Sequence, residues 1–357
     1  NPPAAADDQH AQADAPVAGV PFTVHQITRA RDAGVTRIVL ATSYRADVFR
    51  EFIGNADLGI EVVIATEDEP LGTGGAIRHA ADLLGTGVRA ALRSTADDPV
   101  LVFNGDVLSG LDIAGLVAGH RDTDSDVTLY LTRVPDPRAY GLVPTDADGR
   151  VLAFLEKPTS PEQIVTDQIN AGCYVFRRRI IDAIPAGERI SVERDTFPAL
   201  LEVGAKVSGV VDDGYWLDLG TPLSFVQGSR DLVLGRAPSP AVPSPGESLV
   251  LPGARVAGTA TVRGGSAVGR NAIVGDGAVV DASVLFDGAR IEGGARVANS
   301  IVGAGAWIGE DVVLDGAVIG DNAVVGAGNE LLEGVRVWPG AQLAAGSVRF
   351  SSDQASS

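Results

Sequence analysis

Aliphatic residues return every six positions through much of the last third of the chain. The series runs Val256, Val262, Val268, Val274 and Val280, is followed by Phe286, and resumes with occasional five-residue steps through Ile291, Val297, Ile308, Leu314, Val325, Leu331 and Val337. Gly or Asp commonly follows the aliphatic residue, as in Val268-Gly269. A period kept over roughly a hundred residues is typical of hexapeptide repeats, whose aliphatic side chains point into a parallel β-helix. The sequence therefore predicts a β-helix over residues 249–350.

The chain before this repeat alternates apolar, strand-like runs with amphipathic stretches. The pattern predicts helices at 22–33, 75–84 and 113–120, and strands at 37–42, 100–103, 127–134, 151–155, 172–176 and 206–211. The runs at 37–42 and 100–103 lack polar alternation, as expected for strands covered on both faces. This order predicts an α/β layered domain with a mostly parallel sheet, whose ligands bind beyond the carboxyl ends of the strands.

Length and composition set the domain plan. A chain of 357 residues with 45% hydrophobic and 21% charged residues can bury two cores. We expect an α/β domain at 16–235, a Pro/Ser-rich linker at 236–248, the β-helix at 249–350 and a disordered tail at 351–357.

Charge and cysteine usage exclude several classes of partner. A net charge of -18 argues against binding to nucleic acid or to an anionic membrane through the bulk field. No apolar run approaches the length of a membrane span. The single cysteine, Cys173, fits a reducing cytoplasm.

Two aspartates stand in motifs where a phosphate-bound metal could be reached. Asp106 ends Phe103-Asn104-Gly105-Asp106, directly after the apolar run at 100–103, and Asp218 opens Asp218-Leu219-Gly220-Thr221-Pro222. Mg²⁺ is typically held by one or two carboxylates and phosphate oxygens. The plain alternatives are an Asx-turn at Asp106 and a helix N-cap at Thr221, with Pro222 at the first helical position.

Three further motifs carry polar or glycine-rich chemistry. In Leu71-Gly72-Thr73-Gly74-Gly75 the glycines would let a base or sugar approach, and the amides could donate to ring acceptors, ahead of a helix starting near Ala76. Glu156-Lys157-Pro158 pairs a hydroxyl acceptor with a point charge for phosphate, in a chain that has only two lysines. Asn170-Ala171-Gly172 offers an amide to a pair of hydroxyls. Taken singly, a helix-entry loop, a surface ion pair and a strand entry explain these motifs equally well.

The ordered set of motifs resembles the sugar-1-phosphate nucleotidyltransferases, most closely the actinobacterial mannose-1-phosphate guanylyltransferases. The resemblance extends from about Pro16 to Arg349. It implies a Rossmann-like α/β/α domain followed by a left-handed β-helix, and a reaction in which sugar 1-phosphate and NTP give NDP-sugar and pyrophosphate with Mg²⁺. GTP and mannose 1-phosphate are the substrates that it favours, for nucleotide-sugar biosynthesis. We also expect a homo-oligomer, because a repetitive β-helix face is often an assembly surface.

The resemblance also implies a role for each matching residue. Metal binding falls to Asp106 and Asp218, which with Lys157 are the predicted catalytic residues. The predicted substrate contacts are Leu71, Gly72, Thr73, Gly74, Gly75, Asn104, Gly105, Gly141, Glu156, Lys157, Asn170 and Gly172.

One family segment is not matched. Members carry an apolar first strand and a Gly-Gly-x-Gly-Thr-Arg-Leu loop with Pro-Lys-Pro, where this chain has Asn1–Ala15. Read one nucleotide later, the degenerate codons of Asp7–Ala15 permit Thr-Thr-Ser-Thr-Pro-Lys-Pro-Met-Leu. We therefore hypothesise that residues 1–15 are an out-of-frame reading of the catalytic loop, which incompatible codons in the DNA would disprove. The chain as written is then expected to be inactive, with strands near Ile38 and Leu101 that lack a shared neighbour.

Other functions stay open at this point. A hexapeptide-repeat acyltransferase usually needs a β-helix histidine, and all four histidines here precede residue 121. A non-catalytic regulatory homologue would keep the fold without the loop. A glucose-1-phosphate thymidylyltransferase or uridylyltransferase would differ only in base and sugar.

Overall fold

The structure is a computed structural model that describes residues 15–42, 57–84, 97–155, 157–158, 160–242 and 244–349. It divides into two compact units: Gln26–Trp216, and the stretch up to His25 together with the chain from Leu217 onward. Among the described residues, no helix is long and apolar enough to cross a membrane.

The helices and the non-repeat strands follow one another along the chain. The α-helices are α1 (Phe22–Asp32), α2 (Gly72–Leu84), α3 (Ile113–Asp122), α4 (Arg178–Asp182), α5 (Phe197–Glu202) and α6 (Pro222–Val233), with a 3₁₀ turn at Pro161–Gln163 and a π-helix at Val192–Thr196. The strands are β1 (Pro16–Val17), β2 (Val20–Pro21), β3 (Arg37–Thr42), β4 (Glu61–Thr66), β5 (Pro99–Phe103), β6 (Val107–Ser109), β7 (Val127–Arg133), β8 (Gln168–Arg177), β9 (Val207–Val211) and β10 (Trp216–Asp218). The predicted helices and most predicted strands are thus confirmed to within a few residues.

The central sheet of the unit Gln26–Trp216 is mixed. Its strand order is β5-β8-β7-β9, in which β8 runs antiparallel to both neighbours and β7 runs parallel to β9. The prediction of a mostly parallel sheet is therefore wrong for this sheet. The strand responsible is β8, which follows β7 along the chain and pairs with it in the opposite direction.

Strands β3 and β5 each have a single neighbour among the described residues. β3 pairs in parallel with β4 in a sheet of two strands, and β5 pairs with β8. Their apolar residues are half-buried except for the exposed Ala41, whereas β7 is buried from Val127 to Thr132. Residues 1–14 lie outside the described residues, so the expectation that Ile38 and Leu101 lack a shared neighbour strand stays a prediction.

The core of this unit lies on both faces of β7. Leu129 and Leu131 pack with Phe176 on one face, while Tyr130 packs with Cys173 on the other. Burial on both sides explains why the strand reads as a nearly continuous apolar run.

The predicted strand at 151–155 is wrong. Val151 forms an isolated bridge with Thr145, and Leu155 one with Leu142. The register slips by one residue between these two bridges, so no continuous ladder forms.

The repeat region forms a parallel β-helix with three sheets. One sheet has β11 (Ser248–Val250), β14 (Ser266–Val268), β17 (Val284–Leu285), β20 (Ile301–Val302), β23 (Val318–Ile319) and β26 (Arg336–Val337). The second has β12 (Arg255–Val256), β15 (Ile273–Val274), β18 (Arg290–Ile291), β21 (Trp307–Ile308), β24 (Val324–Val325) and β27 (Gln342–Leu343). The third has β13 (Thr261–Arg263), β16 (Val279–Asp281), β19 (Arg296–Ala298), β22 (Val313–Asp315) and β25 (Glu330–Leu332).

The inward residues of this β-helix are mostly those of the six-residue series. Val274, Ile291, Ile308 and Val325 are at most 1% exposed and stack in register. Val256 in the first turn is an exposed exception. Phe286 is another, because the inward residue of its turn is Leu285 after a five-residue step. Phe286 lies outside the β-helix, where its ring meets Phe225 of α6 edge-on at 6.2 Å.

A column of serines runs through the interior of successive turns. Ser266, Ser283 and Ser300 are at most 1% exposed, and each hydroxyl accepts the backbone amide of the next turn at 3.0–3.1 Å. Each hydroxyl also donates to a backbone carbonyl. Buried hydroxyls are tolerated here because they are hydrogen-bonded on both sides.

Candidate functional site

The segment Leu71–Gly75, called here the glycine turn, is the first turn of a helix. Helix α2 begins at Gly72, which adopts φ +70°, and not near Ala76 as the sequence suggested. The amides of Gly74 and Gly75 both donate to the carbonyl of Ile190, at 2.8 and 3.3 Å. These two amides therefore already donate to a backbone carbonyl, and the expectation that amides of this turn donate to a ring acceptor stays a prediction.

The glycines are required by a neighbouring stretch of backbone. A Cβ added to Gly72 would lie 2.7 Å from the Ile190 carbonyl oxygen, and one on Gly75 would lie 2.5 Å from that of Glu188. Such distances are too short for a side chain. Residues 188–193, called here the clamp segment, therefore hold the glycine turn by direct contact of backbones.

Side chains extend this contact beyond the backbone. The Thr73 hydroxyl donates to Glu193 Oε2 at 2.7 Å and accepts the Val192 amide at 2.8 Å. Ser191 donates to the same Glu193 oxygen at 2.8 Å. Sequence reasoning missed Glu193 and Ser191 because they lie far along the chain from the glycine turn.

The asparagine motifs meet because β8 is antiparallel to β5. Phe103, the last residue of β5, pairs with Cys173, so that the start of β8 lies beside the carboxyl end of β5. The Asn104 amide donates to the Gly172 carbonyl at 2.8 Å. The predicted residues Asn104 and Gly172 are thus in direct contact, although they are far apart in sequence.

A β-bulge aims the second asparagine. The register of β7 and β8 shifts between Tyr130 and Leu131, opposite Ala171 and Gly172, and Gly172 takes φ +73°. A bulge of this kind re-aims side chains and often needs glycine. The motif Asn170-Ala171-Gly172 therefore lies inside a strand and does not precede it, as the sequence suggested.

A buried tyrosine joins the two asparagines. The Asn170 Nδ2 donates to Tyr174 Oη at 2.7 Å, and the Asn104 side chain also hydrogen-bonds that hydroxyl. Burial raises the pKa of Tyr174, and the negative charge of Glu193 raises this pKa further, so the hydroxyl stays neutral. Gly141 completes this asparagine cluster, because its carbonyl accepts the Asn170 amide at 2.9 Å.

An aromatic pair lies next to the asparagine cluster. Tyr140 and Trp216 meet edge-on at 5.5 Å, and the Trp216 indole donates to the Ala171 carbonyl at 3.1 Å. Both rings line a cavity of about 480 Å³ together with Arg133. In the sequence, only their positions could have marked these two residues as part of the site. Tyr140 directly precedes Gly141, and Trp216 lies just before Leu217-Asp218.

The Glu156-Lys157 motif is only partly described. Glu156 lies outside the described residues. Lys157 is exposed and takes φ +42°, a backbone conformation that is uncommon for a residue with a side chain. Both predicted roles stay predictions.

The predicted metal ligands fall in different units. Asp106 is half-buried in the turn between β5 and β6, beside the exposed Gly105. Asp218 ends β10, and its Oδ1 accepts the Gly220 amide at 2.7 Å. The helix N-cap that the sequence suggested at Thr221 is present, since its hydroxyl accepts the Ser224 amide at 3.1 Å. Within the described ranges, no group of three or more His, Cys, Asp or Glu side chains could hold a metal. Carboxylates are suitable ligands for Mg²⁺, which needs only one or two of them when phosphate is present.

The arrangement can bind polar, hydroxyl-rich ligands. An asparagine amide has two donors and an oxygen with two lone pairs. In the contacts of the described residues, Asn170 uses one donor on Tyr174 and one lone pair on the Gly172 amide. It therefore has a donor and an acceptor left for a hydroxyl, on a side chain whose orientation the strand fixes.

Two family models match the chain. The one described as Nucleotidyl transferase matches residues 10–233, and the one described as GMPPB C-terminal domain matches residues 244–349. Together they cover both the α/β part and the β-helix.

Similar proteins carry guanylyltransferase names. The chain is 50% identical over 341 residues to a mannose-1-phosphate guanylyltransferase of Mycobacterium tuberculosis, covering 95% of this chain and 91% of that protein. It is 34% identical to the mannose-1-phosphate guanylyltransferase catalytic subunit beta of Drosophila pseudoobscura pseudoobscura, covering 59% of this chain and 54% of that protein. Among solved structures, HddC from Yersinia pseudotuberculosis complexed with GMP-PN aligns with a TM-score of 0.50 and 27% identity, covering 62% of this chain and 89% of that one.

Proposed function

The chain belongs to the nucleotidyl transferase family, and from this premise we propose that it converts GTP and mannose 1-phosphate to GDP-mannose and pyrophosphate. The names of the relatives support the reaction and the substrates. The observation that carries the proposal is that Asn104, Gly141 and Asn170 form one hydrogen-bonded cluster around Tyr174, whose pKa the charge of Glu193, the hydrogen-bond partner of Thr73 in the glycine turn, also raises.

The reaction is a displacement at phosphorus. A phosphate oxygen of mannose 1-phosphate attacks the α-phosphorus of GTP, and the bond from that phosphorus to the bridging oxygen of the β-phosphate breaks as pyrophosphate leaves. The protein contributes positioning and stabilisation of charge, because such transfers need little covalent help.

We assign the hexose to the asparagine cluster. Asn170 has the hydrogen-bonding capacity for a hydroxyl, and Tyr174 holds its amide in place. The exposed Lys157 would contact the phosphate as a point charge. The Tyr140–Trp216 pair supplies an apolar wall beside the cluster.

We assign the nucleotide to the glycine turn. The Gly74 and Gly75 amides already donate to the Ile190 carbonyl, so other groups of the turn and the clamp segment would recognise the base. We further propose that Asp106 and Asp218 hold Mg²⁺, which would neutralise phosphate charge when bound.

The test is release of pyrophosphate by the purified full chain with GTP, mannose 1-phosphate and Mg²⁺. The Asp106→Asn variant should lose activity by about two orders of magnitude or more, whereas Asp122→Asn, an exposed aspartate on α3, should retain it. A panel with ATP, UTP, dTTP and glucose 1-phosphate decides base and sugar. Faster turnover of another pair would contradict the substrate assignment.

Titration with GDP-mannose distinguishes the enzyme from a non-catalytic homologue of the same fold. Binding without turnover would favour a non-catalytic homologue over the enzyme. Residues 1–14 lie outside the described residues, so the out-of-frame hypothesis stays a prediction, and the inactivity of the chain as written that it implies is the competing outcome of the pyrophosphate assay. DNA sequencing tests the out-of-frame hypothesis, and the pyrophosphate assay tests whether the chain as written is inactive.

A further inference from the structure

The clamp segment determines the backbone geometry of the glycine turn, although the two segments are far apart in sequence. The Gly74 and Gly75 amides donate to Ile190, and the Ile190 amide donates back to the Leu71 carbonyl at 2.9 Å. Whatever fixes the clamp segment therefore also fixes the backbone of the turn.

One carboxylate oxygen joins the two segments. Glu193 Oε2 accepts from Thr73 in the turn and from Ser191 in the clamp segment, at 2.7 and 2.8 Å. Hydrogen bonds to a charged acceptor are roughly twice as strong as neutral ones. Glu193 also lies in the π-helix Val192–Thr196, and π-turns are rare elements that frequently occur at functional sites.

Glu193 acts on the asparagine cluster through its charge. Its negative charge contributes to the raised pKa of Tyr174, after burial as the larger cause. The hydrogen bonds of Glu193 itself go to Thr73 and Ser191, so its direct contacts are with the glycine turn and the clamp segment.

We propose that Glu193 is a positioning residue, which holds the glycine turn through the Thr73 hydroxyl and thereby sets affinity for the nucleotide. This inference rests on the proposed function for the identity of the ligand. Its physical part, the ordering of the turn by Glu193, does not depend on any ligand.

The ligand-free test is amide hydrogen exchange of the full chain, followed on peptides that cover residues 71–80. Glu193→Ala should speed exchange of the Gly74 and Gly75 amides by about tenfold or more, since hydrogen bonds to charged groups correspond to roughly 10-fold to 100-fold in equilibrium. Glu193→Gln keeps an acceptor oxygen and should stay within about threefold of the parent. Glu202→Ala, an exposed glutamate at the end of α5, is the matched control and should change nothing.

The second test is calorimetric titration with GDP and, separately, with mannose 1-phosphate. Glu193→Ala should weaken GDP about tenfold and leave mannose 1-phosphate within about twofold. Thr73→Val removes the partner hydroxyl with little change of shape, so it should reproduce this split, and Thr73→Ser should restore binding.

The outcomes separate the two ideas. If exchange at Gly74 and Gly75 is unchanged in Glu193→Ala, or if both ligands weaken equally, the positioning role is wrong. If the parent chain binds neither ligand, the proposed function fails, while the exchange experiment still decides whether Glu193 orders the turn.

Discussion

Substituting Gly72 by alanine should separate two costs that are combined in the glycine turn. Gly72 has φ +70°, and a Cβ there would lie 2.7 Å from the Ile190 carbonyl oxygen. Gly187 has nearly the same backbone, φ +74°, but nothing lies within 4 Å of its added Cβ. The two sites therefore share the conformational penalty and differ in the clash.

The expected magnitudes follow from this comparison. Alanine in a left-handed conformation costs about 1–2 kcal/mol, which both variants incur. Overpacking against backbone adds about 1–3 kcal/mol, which only Gly72→Ala incurs. We expect local stability near the turn to fall by about 2–5 kcal/mol in Gly72→Ala and by about 1–2 kcal/mol near the mutated turn in Gly187→Ala.

Hydrogen exchange of the peptides covering residues 71–80 and 188–196 measures this difference. The Gly74 amide should exchange about 5-fold to 150-fold faster in Gly72→Ala than in Gly187→Ala, because 1.4 kcal/mol corresponds to about tenfold. The Ile190 amide should follow, since its acceptor is Leu71. Equal exchange in the two variants would show that the clamp segment does not constrain the turn, and the argument for its close contact would be refuted.

Three further outcomes follow from buried side chains. Burial, with the charge of Arg177 as the next cause, lowers the pKa of His120 from 6.5 to about 4. The contribution of His120 to stability is therefore present above pH 6.5 and is lost as pH falls toward 4. Between pH 7 and pH 5, urea unfolding should show that His120→Gln loses about 2 kcal/mol less stability than the parent chain. Leu314→Ala, at a fully buried inward position, should cost about 2–5 kcal/mol in urea unfolding, whereas Leu223→Ala, at a side chain that is 70% exposed, should stay within about 0.5 kcal/mol. Tyr174→Phe removes the acceptor of the Asn170 amide, so calorimetry should show about tenfold weaker mannose 1-phosphate binding with GDP unchanged; equal loss for both ligands would contradict the assignment of the hexose.

The β-helix could be predicted from sequence because its period is local. Each inward aliphatic residue is followed at a nearly fixed distance by the next, so no long-range information is needed. The error at Phe286 shows the limit, since Leu285 and Phe286 both fit a series that tolerates five-residue steps. Only the contact with Phe225 of α6 decides which of them points outward.

The direction of β8 could not be predicted in this way. The hydrophobic pattern of a buried strand is the same in parallel and antiparallel pairing, so the hydrophobicity of residues 168–177 does not indicate the direction of β8. Yet this direction brings Asn170 and Gly172 beside Asn104. The motifs themselves were visible in the sequence, whereas the reason for their meeting was not.

The partners of the motifs were also hidden. Glu193 and Tyr174 act through contacts with residues far away in sequence, at Thr73 and Asn104. An acidic residue near a helix start and an aromatic residue in a buried strand are ordinary in composition, so neither has a pattern that marks it. The sequence indicated these glycines as a place where a ligand could approach. In the structure, the backbones of Ile190 and Glu188 occupy the space that side chains there would need.

The serine column has a consequence for how the β-helix can change in length. Ser266, Ser283 and Ser300 each bond the turn that follows, so three successive turns offer their neighbours the same hydrogen-bonding groups. Deleting a complete turn would rejoin matching edges, whereas deleting one residue would misalign the column and turn inward side chains outward. We therefore expect insertions and deletions in related sequences to come in whole turns, except at corners where a loop can bulge into solvent.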